Sequence, residues 1–239
     1  MTCQLFNRLL IKFVGGYYYI MKVYFISGLA ADKRVFRHIQ LPEGCEAVYL
    51  DWISPEKDES LPSYALRLAA SINREEPFAL VGLSFGGMLA TEIAKQYKPV
   101  VTILISSVPV STQLPGYFKM ARKMRLHKIV PISLLKSSAA TKRFFTREMA
   151  EDKKLLWQII NESDTGLIRW SMHAILSWQN ETIPHPVWHI HGTRDEVLPV
   201  RYTQPTHTIP KEGHMLVMTS PGVVNAFLAK ALQESALKA

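Results

Sequence analysis

Cysteine is nearly absent. The 239-residue chain has only Cys3 and Cys45, which excludes a disulfide framework as the source of its stability. Neither has a His or Cys neighbour at metal-ligand spacing, so no metal site is expected from them. Such sparing use fits a reducing compartment, and the cytoplasm is the expected location. Also missing is any apolar run near the roughly 18 residues that a membrane-spanning helix needs. No internal repeat or low-complexity tract is visible. What remains is 48% hydrophobic, the composition of a globular chain long enough to bury one sizeable core.

Acid is scarce in one place. Between Val110 and Ala150 stand Lys119, Arg122, Lys123, Arg125, Lys128, Lys136, Lys142, Arg143 and Arg147, against Glu148 alone, an excess equal to the formal net charge of +8. The remainder is close to neutral, which argues against a protein that coats nucleic acid. Tyr117, Phe118, Met120, Met124, Leu126 and Ile129 interleave with these charges. Three readings are open: the solvated outer faces of helices, a patch at Lys119, Arg122 and Lys123 that binds an anionic small-molecule substrate, or contact with an anionic membrane surface. Residues 1–20 are unusual in another way. Lys12 interrupts their apolar stretch and no small-x-small site follows, so a secretory signal fits poorly. Leu9–Val14 and Tyr17–Ile20 flank Gly15-Gly16, and an N-terminal appendage or edge hairpin is expected.

From residue 21 onward strands alternate with helices. Lys22–Ser27, Ala47–Leu50, Phe78–Leu83, Val100–Ser106, Pro186–His191 and Thr206–Ile209 read as strands. Leu61–Glu76, Gly86–Tyr97 and Pro221–Leu232 read as helices, the last with Pro in its first turn. Phe78–Leu83 and Val100–Ser106 are apolar at nearly every position, as strands covered on both faces must be. This order implies an α/β fold, a mostly parallel sheet with helices on both faces. Across about 110–184 only helices are expected, including Leu155–Ile160 and Leu167–Trp178. A helical cap inserted between two strands would lie over the carboxyl edge of the sheet, where ligands of such folds sit.

Gly82-Leu83-Ser84-Phe85-Gly86 is the strongest local signal. A G-x-S-x-G match arises by chance in roughly one chain in ten of this length, but here a buried strand precedes it and a helix follows, the setting the motif requires. Side chains at 82 and 86 would collide on so sharp a turn, and Gly87 lets the next helix pack closely. A serine hydroxyl needs a base. Of the eight histidines, His214 follows the last short strand and the loop Lys211-Glu212-Gly213, which brings its imidazole to the carboxyl edge of the sheet. His191 is expected to fix the turn after its strand. Asp195, in the turn just beyond Pro186–His191, is the candidate acid to hold the base; Glu196 is its nearest competitor, and Asp51 and Asp32 are more distant ones. Donors for developing negative charge are expected at the backbone N–H of Phe85 and of Leu29, with Ala30 as the alternative to Leu29. Asp32 and Arg34 are expected to brace that loop.

Together GLSFGG at 82–87, SGLAAD at 27–32, HGTRDEVLP at 191–199 and EGH at 212–214 resemble the α/β-hydrolase superfamily, over roughly Met21 to the C-terminus. The resemblance implies an α/β-hydrolase fold over 21–239, with Ser84 as nucleophile, Asp195 as acid, His214 as base, and Leu29 and Phe85 as oxyanion donors. It implies an esterase-like serine hydrolase acting on a small-molecule ester, thioester or amide, with no metal or organic cofactor. The alternatives are a ligand-binding member with negligible turnover, and a lyase or C–C hydrolase using the same residues. Two features depart from the family pattern. Only nineteen positions separate Asp195 from His214, so the intervening helix is expected to shrink to a turn at Val200–Tyr202. Ser27-Gly28 also stands where many relatives have His-Gly.

Overall fold

The computed structural model describes residues 20–124 and 150–237. Its strands β1 (Met21–Ile26), β2 (Cys45–Tyr49), β3 (Phe78–Leu83), β4 (Val101–Ile105), β5 (Val187–Gly192) and β6 (His207–Ile209) form one sheet in the order β2-β1-β3-β4-β5-β6. Every pair is parallel, so the loops after all six strands leave from one edge. The expected strands are all present, within two residues at either end.

Alternation along the strands sends side chains to two separate cores. Val23, Phe25, Ala79 and Val81 join one cluster with Val224, Leu228 and Leu232 of the C-terminal helix. Tyr24, Ile26, Phe78 and Leu80 join the other. There they meet α1 (Leu61–Leu68) and α2 (Phe85–Tyr97) through Leu61, Ala65, Leu89 and Ile93. Both faces are therefore covered, which is why β3 and β4 are buried at every position. Helix α1 is shorter than the Leu61–Glu76 expected from its spacing. It is capped by the Ser60 side chain and gives way to a 3₁₀ turn at Ala69–Ser71. Ile72 is already extended and buried in the α1–α2 core. Asn73 then donates its N–H to the Tyr24 hydroxyl and accepts the Glu75 N–H. The chain turns toward β3 because these contacts outweigh helix propensity.

Between β4 and β5 the described residues hold only helices: a 3₁₀ turn at Ser111–Gln113, α3 (Gly116–Lys123), α4 (Ala150–Glu162) and α5 (Thr165–Ser177). Particular side chains tie this insertion down. Trp170 of α5 lies 4.1 Å from the Tyr64 ring and edge-on to Phe85 at 6.1 Å, while its indole N–H donates to Glu59 O. Trp178 donates to the buried Glu92 of α2 at 2.7 Å, and Arg34 joins Asp32 to Glu162 of α4. Of the basic segment, the expectations at Arg125, Lys128, Lys136, Lys142, Arg143 and Arg147 lie outside the described residues, as does the expected hairpin or appendage before residue 20. The last helices are α6 (Leu216–Thr219) and α7 (Pro221–Ala236). Among the described residues no helix is long and apolar enough to cross a membrane.

Close backbone approach at the turn after β3 is a strong constraint. A Cβ placed on Gly86 would overlap the carbonyl oxygens of Ile26 and Ser27, and one on Gly82 would overlap the Gly86–Gly87 backbone. These neighbours are main chain and cannot swing aside. Gly86→Ala is expected to destabilise the protein by about 1–3 kcal/mol, read as a lower midpoint in urea unfolding. A midpoint equal to that of the parent would contradict the tight contact.

Candidate active site

Ser84 stands between β3 and α2 with φ 53° and ψ −119°, a region that non-glycine residues rarely enter. Its N–H donates to Ile105 O, and its carbonyl accepts from Gly87 N–H and, at 2.6 Å, from the Ser107 hydroxyl. These bonds hold the strained turn in place, leaving Ser84 partly exposed while residues 82, 83, 85 and 86 around it are buried. Ser107 carries no local sequence signal. It is one of several serines following β4, and only the fold brings it under the turn.

His214 arrives from the loop after β6. Its Nε2 is 2.9 Å from Ser84 Oγ and its Nδ1 is 2.7 Å from Asp195 Oδ2. The two loops that carry Asp195 and His214 are laced together. Arg194 N–H donates to Glu212 O, Thr193 N–H to Ile209 O, and Lys211 N–H to Thr193 Oγ1. Gly192 permits this, since a Cβ there would overlap the Glu212 and Gly213 carbonyls. The connection from Asp195 to His214 does contract as expected, leaving the 3₁₀ turn Val200–Tyr202 and β6. Of the competing acids, Glu196 is exposed, Asp51 pairs with Lys33 and Asp32 with Arg34.

Asp195 is buried. Burial alone would raise its pKa, but the charge and hydrogen bonds of His214 and His191 outweigh it and hold the carboxyl below its ordinary value. Both oxygens are occupied: Oδ1 accepts the N–H groups of Val197 and Leu198, and Oδ2 faces His214 and His191. His191 does fix the following turn as expected, through Nε2 to Leu198 O at 2.7 Å; its contact with Asp195 was not foreseen. Cys45 offers no rival nucleophile, since burial pushes its thiol up to about 11.

The loop after β1 packs directly on the serine. Gly28 is so close that a Cβ on it would stand 3.3 Å from Ser84 Cβ. Ser27 Oγ and Trp52 Nε1 both donate to Ala31 O, Ala30 adopts φ 54°, and Asp32 accepts Arg34 N–H. Asp32 and Arg34 thus brace this loop as expected. Among the described residues the N–H groups of Leu29 and Phe85 donate to no protein acceptor. Trp52 stacks on the buried Phe85 ring at 5.8 Å with 10° between the rings. Lys119, Arg122 and Lys123 all fall on α3. Lys123 is exposed at its end and takes no part in the Ser84–His214–Asp195 bonds.

Ser84, Asp195 and His214 all lie within a stretch of the chain that matches a known family. The model for the alpha/beta hydrolase family matches residues 23–227. The chain belongs to the alpha/beta hydrolase family. Among solved structures, this α/β-hydrolase is similar to an esterase from Exiguobacterium antarcticum, with TM-score 0.71, 18% identity, and coverage of 90% of this chain and 92% of that one. It is also similar to MenH from S. aureus, with TM-score 0.74, 14% identity, and coverage of 91% and 95%. In sequence it is 24% identical over 180 residues to an uncharacterized protein of Mycobacterium tuberculosis, a match over 64% of this chain. The matched part spans 53% of that relative's length.

The depressed Asp195 pKa has a consequence for stability. An unfolded Asp titrates near about 3.9, so the stability its ionised form contributes is complete above that pH and is lost as pH falls toward the lower native value. Asp195→Asn is therefore expected to be less stable than the parent at pH 7, with the gap narrowing below about pH 4. Urea midpoints at the two pH values check this; a gap independent of pH would contradict it.

Proposed function

We propose that this α/β-hydrolase is a serine hydrolase that cleaves an ester, thioester or amide bond of a small molecule through an acyl-enzyme on Ser84. The observation that carries the reading is the continuous hydrogen-bonded line from Ser84 Oγ through His214 to Asp195, at 2.9 and 2.7 Å. These lengths suit proton transfer from hydroxyl to imidazole.

In the first step Ser84 Oγ bonds to the substrate carbonyl carbon and its proton passes to His214 Nε2. The carbonyl π electrons move onto oxygen, where the N–H groups of Phe85 and Leu29 would receive the charge. Collapse of this intermediate breaks the bond to the leaving alcohol, thiol or amine, which takes the proton from His214. Water then attacks the acyl-enzyme, again giving its proton to His214. The acid leaves and Ser84 recovers its hydrogen. Asp195 stays ionised throughout, keeps the His214 tautomer and stabilises the imidazolium. No step calls on a cofactor. The half-buried Trp52 and Trp170, both packed on the buried Phe85 ring, favour an apolar acyl or alcohol group, while the basic segment containing Lys119, Arg122 and Lys123 favours an anionic substituent on the same substrate.

A panel of p-nitrophenyl esters of increasing chain length tests the activity. Ser84→Ala and His214→Ala are each expected to lower kcat by about 10⁴-fold or more. Folded parent protein inactive on the whole panel would favour a binding member of the family, and full activity in Ser84→Ala would overturn the mechanism. Charge specificity is read separately. Reversing Lys119, Arg122 and Lys123 to Glu is expected to raise KM for carboxylate-bearing esters more than for neutral ones; equal effects would remove the anionic class.

A further inference from the structure

The buried imidazoles of β5 have no part in the proton transfers above, yet one of them, His191, touches the carboxylate those transfers depend on, and the other, His189, touches His191. His191 Nε2 lies 3.1 Å from Asp195 Oδ2 and 2.7 Å from Leu198 O. A carbonyl and a carboxylate oxygen only accept, so Nε2 carries a proton; it donates to Leu198 O and lies within ion-pair distance of Asp195 Oδ2. Behind it, His191 Nδ1 is 3.0 Å from His189 Nε2. The two rings project from the same face of β5, alternating with Trp188 and Ile190, and both are buried. Burial first, and then the neighbouring His191, lowers the His189 pKa to about 3, so at neutral pH it adds no charge to the interior. Neither ring is open to substrate. Their arrangement instead bears on how Asp195 is aimed.

We propose that His191 is a positioning residue: its Nε2–H fixes Asp195 Oδ2 on the line to His214 Nδ1, and His189 holds the His191 ring in the orientation that does so. The inference rests on the serine-hydrolase reading for its effect on rate. Val197 and Leu198 N–H, both 2.8 Å from Oδ1, anchor one end of the carboxylate, and His191 anchors the other. His191 from β5 and His214 from the loop after β6 face this carboxylate directly; His189 of β5 and Tyr117 of α3, whose hydroxyl donates to Val197 O at 2.8 Å, lie near enough to feel its charge. With the His191 donor removed, Asp195 Oδ2 would face His214 alone, while Oδ1 keeps its two backbone donors. The imidazole would then hold its proton more tightly, and the carboxylate could rotate away from it.

The test compares His191→Leu, which deletes the donor, with His191→Gln, whose side-chain amide N–H can take the place of Nε2–H. Thermal unfolding first reports that each variant is folded. For p-nitrophenyl acetate, His191→Leu is expected to lower kcat on the order of 10- to 100-fold with KM nearly unchanged. The acid limb of its pH profile should move to higher pH. His191→Gln is expected to restore most of the rate and the original limb. Equal impairment of both variants, or a parental acid limb in His191→Leu, would overturn the proposal in favour of simple packing. Nitrogen-resolved imidazole NMR on the parent needs neither activity nor a variant. It should show His191 protonated at Nε2, and an unprotonated Nε2 would overturn the proposal even in a protein that hydrolyses nothing.

Discussion

At the carboxyl edge of the sheet, stretches of chain come together at three glycines, two of which, Gly86 and Gly192, leave no room for a Cβ. Gly86 lies against the carbonyls that end β1, Gly28 against Ser84 itself, and Gly192 against the Glu212–Gly213 carbonyls. Each contact ties one loop of the site to another. The first two bring the turn after β3 under the loop after β1, and the third ties the Asp195 loop to the His214 loop. Because all the strands run the same way, these loops meet on one rim. The bond from His214 to Ser84 spans 130 positions of sequence, and it forms because the main chain leaves those side chains little other place to go.

Electrostatics at this rim follow from burial. A carboxylate withdrawn from water is costly unless its lone pairs are filled. Asp195 meets that condition with two backbone N–H groups and two imidazoles. The strained Ser84 is secured in the same manner, by Ile105, Gly87 and Ser107. Local strain and buried charge are each unfavourable alone. They persist because the surrounding bonds over-determine the geometry, as is usual where a protein holds reactive groups ready. The helical insertion is tied to the rest of the fold near this turn, since Trp170 packs on Tyr64 and Phe85.

Much of this was legible in the sequence because local chemistry and global topology agree. Unbroken apolar runs marked β3 and β4, and a glycine-flanked serine between strand and helix marked its own turn. Asp195 and His214 were readable because each follows a strand and so reaches the same edge. Other features depend on tertiary contacts that leave no local trace. Ile72 and Asn73 end α1 early because of the core and Tyr24. Ser107 reaches Ser84 only through the β3–β4 pairing. His191 was read as a turn-fixing residue, but its second partner, Asp195, emerges only once the turn closes.

The account depends on the Ser84 hydroxyl being made nucleophilic by His214. Incubating the folded protein with a fluorophosphonate and locating the adduct by peptide mass spectrometry tests this most directly. A single stoichiometric phosphonyl adduct on Ser84, sharply slowed in His214→Ala, is the expected result. An unmodified Ser84 in folded protein, or an adduct that forms equally fast without the imidazole, would contradict the account.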